Sequence, residues 1–176
     1  DGIRTTFSKG GQDHARLDLN QLIRDVLDCY RDDCRMAHVV IQTDFDADLP
    51  SVSGNRVQLE QVVANLVTNA IDAMRSVAGG QRVLLVRSAV LSGGEVLVSV
   101  EDSGIGLPPA HGDRLFEPFF TTKASGLGVG LTVSRLILES HGGRLWATEN
   151  APRGAIFQFT LPCDTGPGSL AEEPVR

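Results

Sequence analysis

"QLEQVVANLVTNAIDAM", residues 58–74, is the stretch on which the reading of the whole chain turns. Wound as a helix at about 100° per residue, it gathers Gln58, Gln61, Asn65, Asn69 and Asp72 into one narrow stripe. Val63, Val67, Ala70 and Met74 fall on the opposite side. The plain reading is an amphipathic helix with a solvated face. Yet solvated faces favour Lys, Glu and Arg, whereas each Asn costs roughly half a kcal/mol of helix propensity relative to Ala. This stripe carries four uncharged amides and one acid. Asn at positions i and i+4 brings two amide oxygens to one region, about a turn apart. Such a pair suits a hard cation that keeps most of its water and takes one or two protein oxygens, as Mg²⁺ does on a phosphate. The spacing alone leaves both readings open. The helical pattern itself runs from about Arg56 to Val77.

Two glycine-rich stretches follow. "EDSGIGLPP", residues 101–109, sets Asp102, Gly104 and Gly106 directly after a Val-rich strand. Glycines there permit a sharp turn and a close approach to a flat ligand. The Asp102 carboxylate can accept a hydrogen bond from an exocyclic amine such as that of adenine, or simply cap a turn. "LFEPFFTTKASGLGVGL", residues 115–131, packs three of the chain's seven Phe into five positions before glycines at 126, 128 and 130. Alternate glycines opening a helix present free N–H groups and the positive end of its dipole to an anion, typically phosphate. Lys123 lies within reach of the same anion, or is merely solvated. No Lys-Ser/Thr pair follows the glycines and no strand precedes them, so neither a P-loop nor a Rossmann fingerprint is present.

Outward from these stretches, Asp18 caps an expected helix running to about Cys34, with Leu19, Leu22, Ile23, Val26 and Leu27 on one face. "HVVIQTDFDADLP" alternates Val39, Ile41, Thr43 and Phe45 as a half-buried strand. "QRVLLVRSAVL" and "EVLVSVED" form a hairpin about Ser92-Gly93-Gly94. A helix from about Leu127 to Ser140 stops at His141-Gly142-Gly143, and "RLWATEN" and "AIFQFTLP" make a last strand pair. Hairpins interleaved with helices predict an α+β fold: a two-layer sandwich with helices on one face of a mixed sheet. Residues 1–16 read as a linker from a preceding element, 17–162 as the domain, and 163–176 as a disordered tail. The first residue is Asp rather than Met and opens no signal-like segment, so the chain is expected to be a piece of something longer.

A net charge of −6 without a basic stripe argues against a nucleic-acid surface. Cys29, Cys34 and Cys163 are odd in number and lack metal-ligand spacing, which reads as reduced thiols in a cytosolic setting. No apolar run reaches the roughly 20 residues of a membrane span.

Taken together and in order, four of these stretches resemble the catalytic ATP-binding domain of bacterial sensor histidine kinases. "NLVTNAIDAM" is similar to that family's N box, "DSGIG" to its G1 box, "LFEPFFTTK" to its F box and "GLGVGL" to its G2 box. The match covers about residues 17–162, and "NAIDAM" with "FEPFFTTK" resembles the nitrogen-regulation and oxygen-sensing subgroup. The resemblance implies the Bergerat fold, with a mobile ATP lid between the G1 and G2 boxes. It implies that Asn69 coordinates Mg²⁺ and that Asn65 lies beside the triphosphate, as the only catalytic candidate here. Asp102 would bind the adenine amino group, and Gly104 and Gly106 would let the base approach. Lys123 and the backbone of Gly126, Gly128, Gly130 and Leu131 would receive the phosphates. Phe116, Phe119 and Phe120 resemble the anchor of the lid.

The chain departs from the family pattern in three places. Asp72-Ala73 stands where a basic or aromatic pair is common, which puts a phosphate contact from that position in doubt and leaves Arg75 as at best a weak substitute. Gly154-Ala155 replaces a frequent Gly-Thr, which removes a hydroxyl near the adenine. None of His14, His38, His111 and His141 has the context of a phosphate-accepting histidine. The expected function is therefore to bind Mg-ATP and donate its γ-phosphoryl group to a histidine on a dimerisation domain elsewhere. A homodimeric full-length protein and a response regulator would be the partners, in a cytoplasmic domain of a soluble or membrane-anchored sensor. An ATP-hydrolysing switch of chaperone, gyrase or mismatch-repair type is the alternative. Those relatives usually carry Glu at the position of Asn65, and Asn is no general base at neutral pH.

Overall fold

The computed structural model describes residues 14–107, 115–117 and 129–164. Lys123, Gly126, Gly128, Phe119, Phe120, the expected lid apart from residues 107 and 115–117, and the expected C-terminal tail beyond Asp164 lie outside those residues.

Asp18 caps the first helix as its position suggests: its side chain accepts from the Gln21 N–H at 3.0 Å, and α1 (Leu19–Cys29) follows. The helix ends five residues before the expected Cys34. Tyr30 breaks it, and a short α2 (Arg31–Met36) begins afresh. The charges account for the break. No basic residue faces the negative C-terminal end of α1, whereas Asp32 and Asp33 in the next turn favour a new helix N-terminus at residue 31.

The apolar faces of α1 and of α3 (Arg56–Arg75) meet over a five-stranded sheet. Its strands are β2 (Val39–Phe45), β4 (Arg82–Leu91), β5 (Glu95–Asp102), β6 (Arg144–Glu149) and β7 (Ala155–Pro162), ordered β2-β4-β5-β7-β6. Only β2 and β4 run parallel; the other pairs are antiparallel, so the sheet is mixed. As an edge strand β2 leaves Thr43 exposed although Val39 is buried. The last helix, α4 (Gly130–Ser140), packs beside α3, and the α+β sandwich with its helices on one face stands as expected.

A second, two-stranded sheet was not anticipated. Strand β1 (Ala15–Leu17) pairs antiparallel with β3 (Val52–Gly54), so Ala15 and Arg16 belong to a strand inside the stretch read as linker. On its other side β3 receives the chain's far end: Val52 bridges to Cys163, and the Asp164 N–H donates to the Ser51 carbonyl at 2.7 Å. Arg16 and Asp164 form an ion pair at 3.7 Å. Strands of three residues carry too little periodicity to be seen in a sequence.

Immediately after β3, Asn55 caps α3, its side chain accepting from the Gln58 N–H at 3.1 Å. His141, where α4 ends, accepts the Asn55 N–H on Nε2 at 3.0 Å and donates from Nδ1 to the Ile137 carbonyl at 2.7 Å. Buried His141 therefore ties the start of α3 to the end of α4, which sets these helices antiparallel.

Candidate functional site

That arrangement carries the amide stripe of α3 past the N-terminus of α4. The Asn65 carboxamide donates from Nδ2 to the Ser134 hydroxyl at 3.0 Å. Its oxygen lies so near Gly130 that a Cβ there would collide with it. Asn65 and Asn69 are both half-buried, and of the stripe only Gln61 is exposed. For Asn65 the solvated-face reading therefore fails, because a neighbouring helix covers it. A pocket of about 320 Å³ opens beside Asn65, between Tyr30, α3 and the first turn of α4.

The N-terminus of α4 is chemically distinct from those of the other long helices. Asp18 and Asn55 close α1 and α3 with side-chain caps, whereas Val129 provides α4 with none; none of the three has an acid in its first turn. Among the described residues no side chain caps its leading N–H groups, and such a helix end with its dipole suits an anion. The helix starts at Gly130 rather than Leu127, and Leu131 packs partly against the core.

Asp102 ends β5 with only 2% of its surface exposed. Its Oδ1 accepts from the Gly104 N–H at 2.7 Å and from the Ala155 N–H at 3.3 Å. Burial pushes its carboxyl above the ordinary value of 3.8, against the opposing pull of those two N–H groups. A buried carboxylate with two backbone donors on one oxygen retains acceptor capacity for a further donor.

The glycines around Asp102 have reasons internal to the protein. A Cβ on Gly104 would meet the Ala73 backbone of α3 at 2.7 Å. Gly106 adopts φ +81°, in the left-handed region, with its Cβ position 3.2 Å from the Gly154 carbonyl. Gly154 itself, at φ +110°, lies so close that a side chain would strike the Asp102 carbonyl. Asn150 secures the same spot by donating from Nδ2 to that carbonyl at 2.9 Å.

Sequence reasoning missed Asn150 and Ser134 as supports for Asp102 and Asn65, and it treated Gly154 only as a neighbour of a missing hydroxyl. Their signal lies in tertiary packing, with no local motif to mark it. Arg75, the weak substitute, pairs with Asp72 at 3.5 Å and is engaged within its own helix. Among the described residues, no group of three or more His, Cys, Asp or Glu comes together, and no helix is long and apolar enough to cross a membrane.

This geometry has close counterparts. Residues 54–165 match the family described as histidine kinase-, DNA gyrase B-, and HSP90-like ATPase. The sensor protein TdiS of Thauera aromatica is 37% identical over 82% of this chain and 26% of its own length. The sensor protein FixL of Bradyrhizobium diazoefficiens is 38% identical over 91% of this chain and 31% of its own length. The chain thus spans a quarter to a third of such curated relatives. The solved catalytic domain of histidine kinase ThkA superposes with a TM-score of 0.75 at 34% identity, over 86% of this chain and 96% of that one. ThkA is also solved in complex with the response regulator TrrA, with a TM-score of 0.71 and 32% identity over 85% of this chain and 42% of that one. A mixed sheet under antiparallel α3 and α4, the four boxes in order and these matches agree: the chain belongs to the histidine kinase-, DNA gyrase B- and HSP90-like ATPase family, among its histidine kinase catalytic domains.

Proposed function

We propose that this chain is the nucleotide-binding catalytic unit of a longer sensor kinase. It holds Mg-ATP and presents the γ-phosphoryl group to a histidine on a dimerisation domain outside residues 1–176. The observation that carries this reading is the half-buried amide stripe of α3 running beside the uncapped N-terminus of α4, with Asn65 between Gly130 and Ser134. Transfer of a phosphoryl group requires chiefly positioning and charge neutralisation, and this site offers both.

In this scheme Asp102 accepts from the adenine amino group and so fixes the base at the end of β5. The N-terminal N–H groups of α4, with Lys123 and the glycines at 126, 128 and 130, receive the phosphates. Asn65 and Asn69 fit a Mg²⁺ ion carried on the triphosphate, because their amide oxygens are hard, neutral and half-buried, and the stripe lacks the several carboxylates of a stand-alone metal cage. Such an ion, when bound, neutralises charge on the transferring group. The complex of ThkA with a response regulator supports a response regulator as the eventual recipient. A homodimer joined through the histidine-bearing domain, in a cytoplasmic setting, completes the reading.

The test is phosphotransfer in trans. Supplied with labelled Mg-ATP and its own dimerising histidine domain, the chain should label that domain at an acid-labile bond. Alone, it should neither label itself nor turn ATP over above background. Steady hydrolysis by the lone chain, with no label on the partner, would instead favour an ATP-driven switch.

A further inference from the structure

Helix α4 is gripped from two sides. Gly130 and Ser134 lie about 40° apart around its axis and face Asn65. Thr132 and Arg135 project about 150° away from that pair and hold another part of the chain. The Thr132 hydroxyl donates to the Phe116 carbonyl at 3.0 Å. The Arg135 guanidinium lies over the Phe116 ring, 5.7 Å from its centroid. Arg135 Nε also donates to Glu139 Oε1 at 2.9 Å, one turn further on, which steadies the guanidinium in place. Phe116 is 6% exposed and belongs to the core. The nucleotide scheme uses none of these contacts.

The plain account is that Phe116 fills space and that Arg135–Glu139 is a surface i,i+4 pair of little weight. It leaves unexplained why a backbone carbonyl and a ring of the same residue are both captured by the opening turns of the helix that starts against Asn65. A helical turn is stiff, so the segment 115–117 and Asn65 cannot shift independently while both contacts hold. We infer that Thr132 and Arg135 are positioning residues for the phosphate end of the nucleotide, acting through α4: by seating it on Phe116 they set where its N–H groups stand relative to Asn65. The adenine end, built on Asp102, Gly154 and Asn150, is independent of this grip. The effect is bounded by the free energy of the contacts removed, since a ligand can shift an equilibrium only by its differential affinity. For a partly exposed cation over a ring that is roughly three- to fivefold in affinity.

This inference rests on the proposed nucleotide site, and the experiment separates the two. Binding of Mg-ATP and of AMP to the 176-residue chain is measured by calorimetry and ligand-observed NMR for wild type, R135A, R135K, T132V and T132S. R135A and T132V should each weaken Mg-ATP by roughly three- to fivefold and leave AMP unchanged. T132S keeps the hydroxyl and should restore wild-type binding, and R135K should fall between wild type and R135A. Unchanged Mg-ATP binding in R135A and T132V, or an equal loss for both ligands, overturns the inference while leaving the nucleotide site standing. Failure of the wild-type chain to bind Mg-ATP at all overturns the site itself.

Discussion

At the scale of single residues, Asp102 is a buried carboxyl under opposing influences, burial against two backbone N–H donors. Its carboxyl is raised above 3.8 by burial, so the folded state holds the proton more tightly than the unfolded chain does. The stability this gives is complete below 3.8 and is lost as pH rises through the folded value. At neutral pH the buried carboxylate therefore opposes folding. D102N should raise the melting temperature of the nucleotide-free chain at pH 7. The gain should disappear as pH falls towards 3.8, which melting curves across pH would show. The same variant should bind ATP at least about tenfold more weakly, because a charge-assisted acceptor for the adenine amine is gone. On the amide stripe, N69A should remove the dependence of ATP binding on Mg²⁺ while the base still binds; titration with and without the metal checks this. The residues proposed to face the nucleotide could be singled out in the sequence because an Asn stripe breaks the propensity rule for a solvated helix face and because the Asp-Gly-Gly turn stands in order with the other boxes. The residues that brace them could not. Asn150 and Gly154 meet Asp102 only because β7 lies against β5, a relation that no local pattern encodes.

At the scale of elements, α4 shows stability and function pulling apart. Glycine at its first position costs helix propensity, roughly 0.5–1 kcal/mol relative to Ala. An added Cβ there would press on the Asn65 oxygen and disturb its bond to Ser134. G130A should thus melt within a degree or two of wild type while losing roughly fivefold in Mg-ATP affinity, the worth of one hydrogen bond of about 1 kcal/mol. A parallel fall in melting temperature would mean that the glycine serves packing alone. The long elements were legible because α3 and the β4–β5 hairpin are strongly periodic. The break at Tyr30 was not, because apolar spacing continues through Tyr30, Cys34 and Ala37 and only the placement of aspartates ends α1. The start of α4 was misplaced by three residues for a related reason: its boundary is set by contact with Asn65 and lacks a side-chain cap.

At the scale of the whole molecule, Asn65 bears on which reaction the site favours. Placing Glu there supplies a carboxylate of the kind that serves as a general base toward water. N65E should raise phosphate release by the lone chain only modestly, because that carboxylate would also face Ser134 and the start of α4. Loss of transfer to a histidine domain should be much larger, and a coupled phosphate-release assay with a transfer assay reads both. The small sheet has a different consequence. Strand β3 takes β1 on one side and Cys163 on the other, and Arg16 reaches Asp164, so residues 15 and 164 stand at neighbouring points beside β3. The linear order of the chain is then only one of several ways to thread the same body. Joining these two points with a short Gly-Ser bridge and opening the exposed turn between Gly93 and Gly94, where nothing crowds either residue, should give a circular permutant. Its nucleotide affinity should match the parent's within about twofold, since no site residue changes neighbours. A permutant that folds but loses ATP would show that the continuity of β4 with β5 contributes to the seat of Asp102.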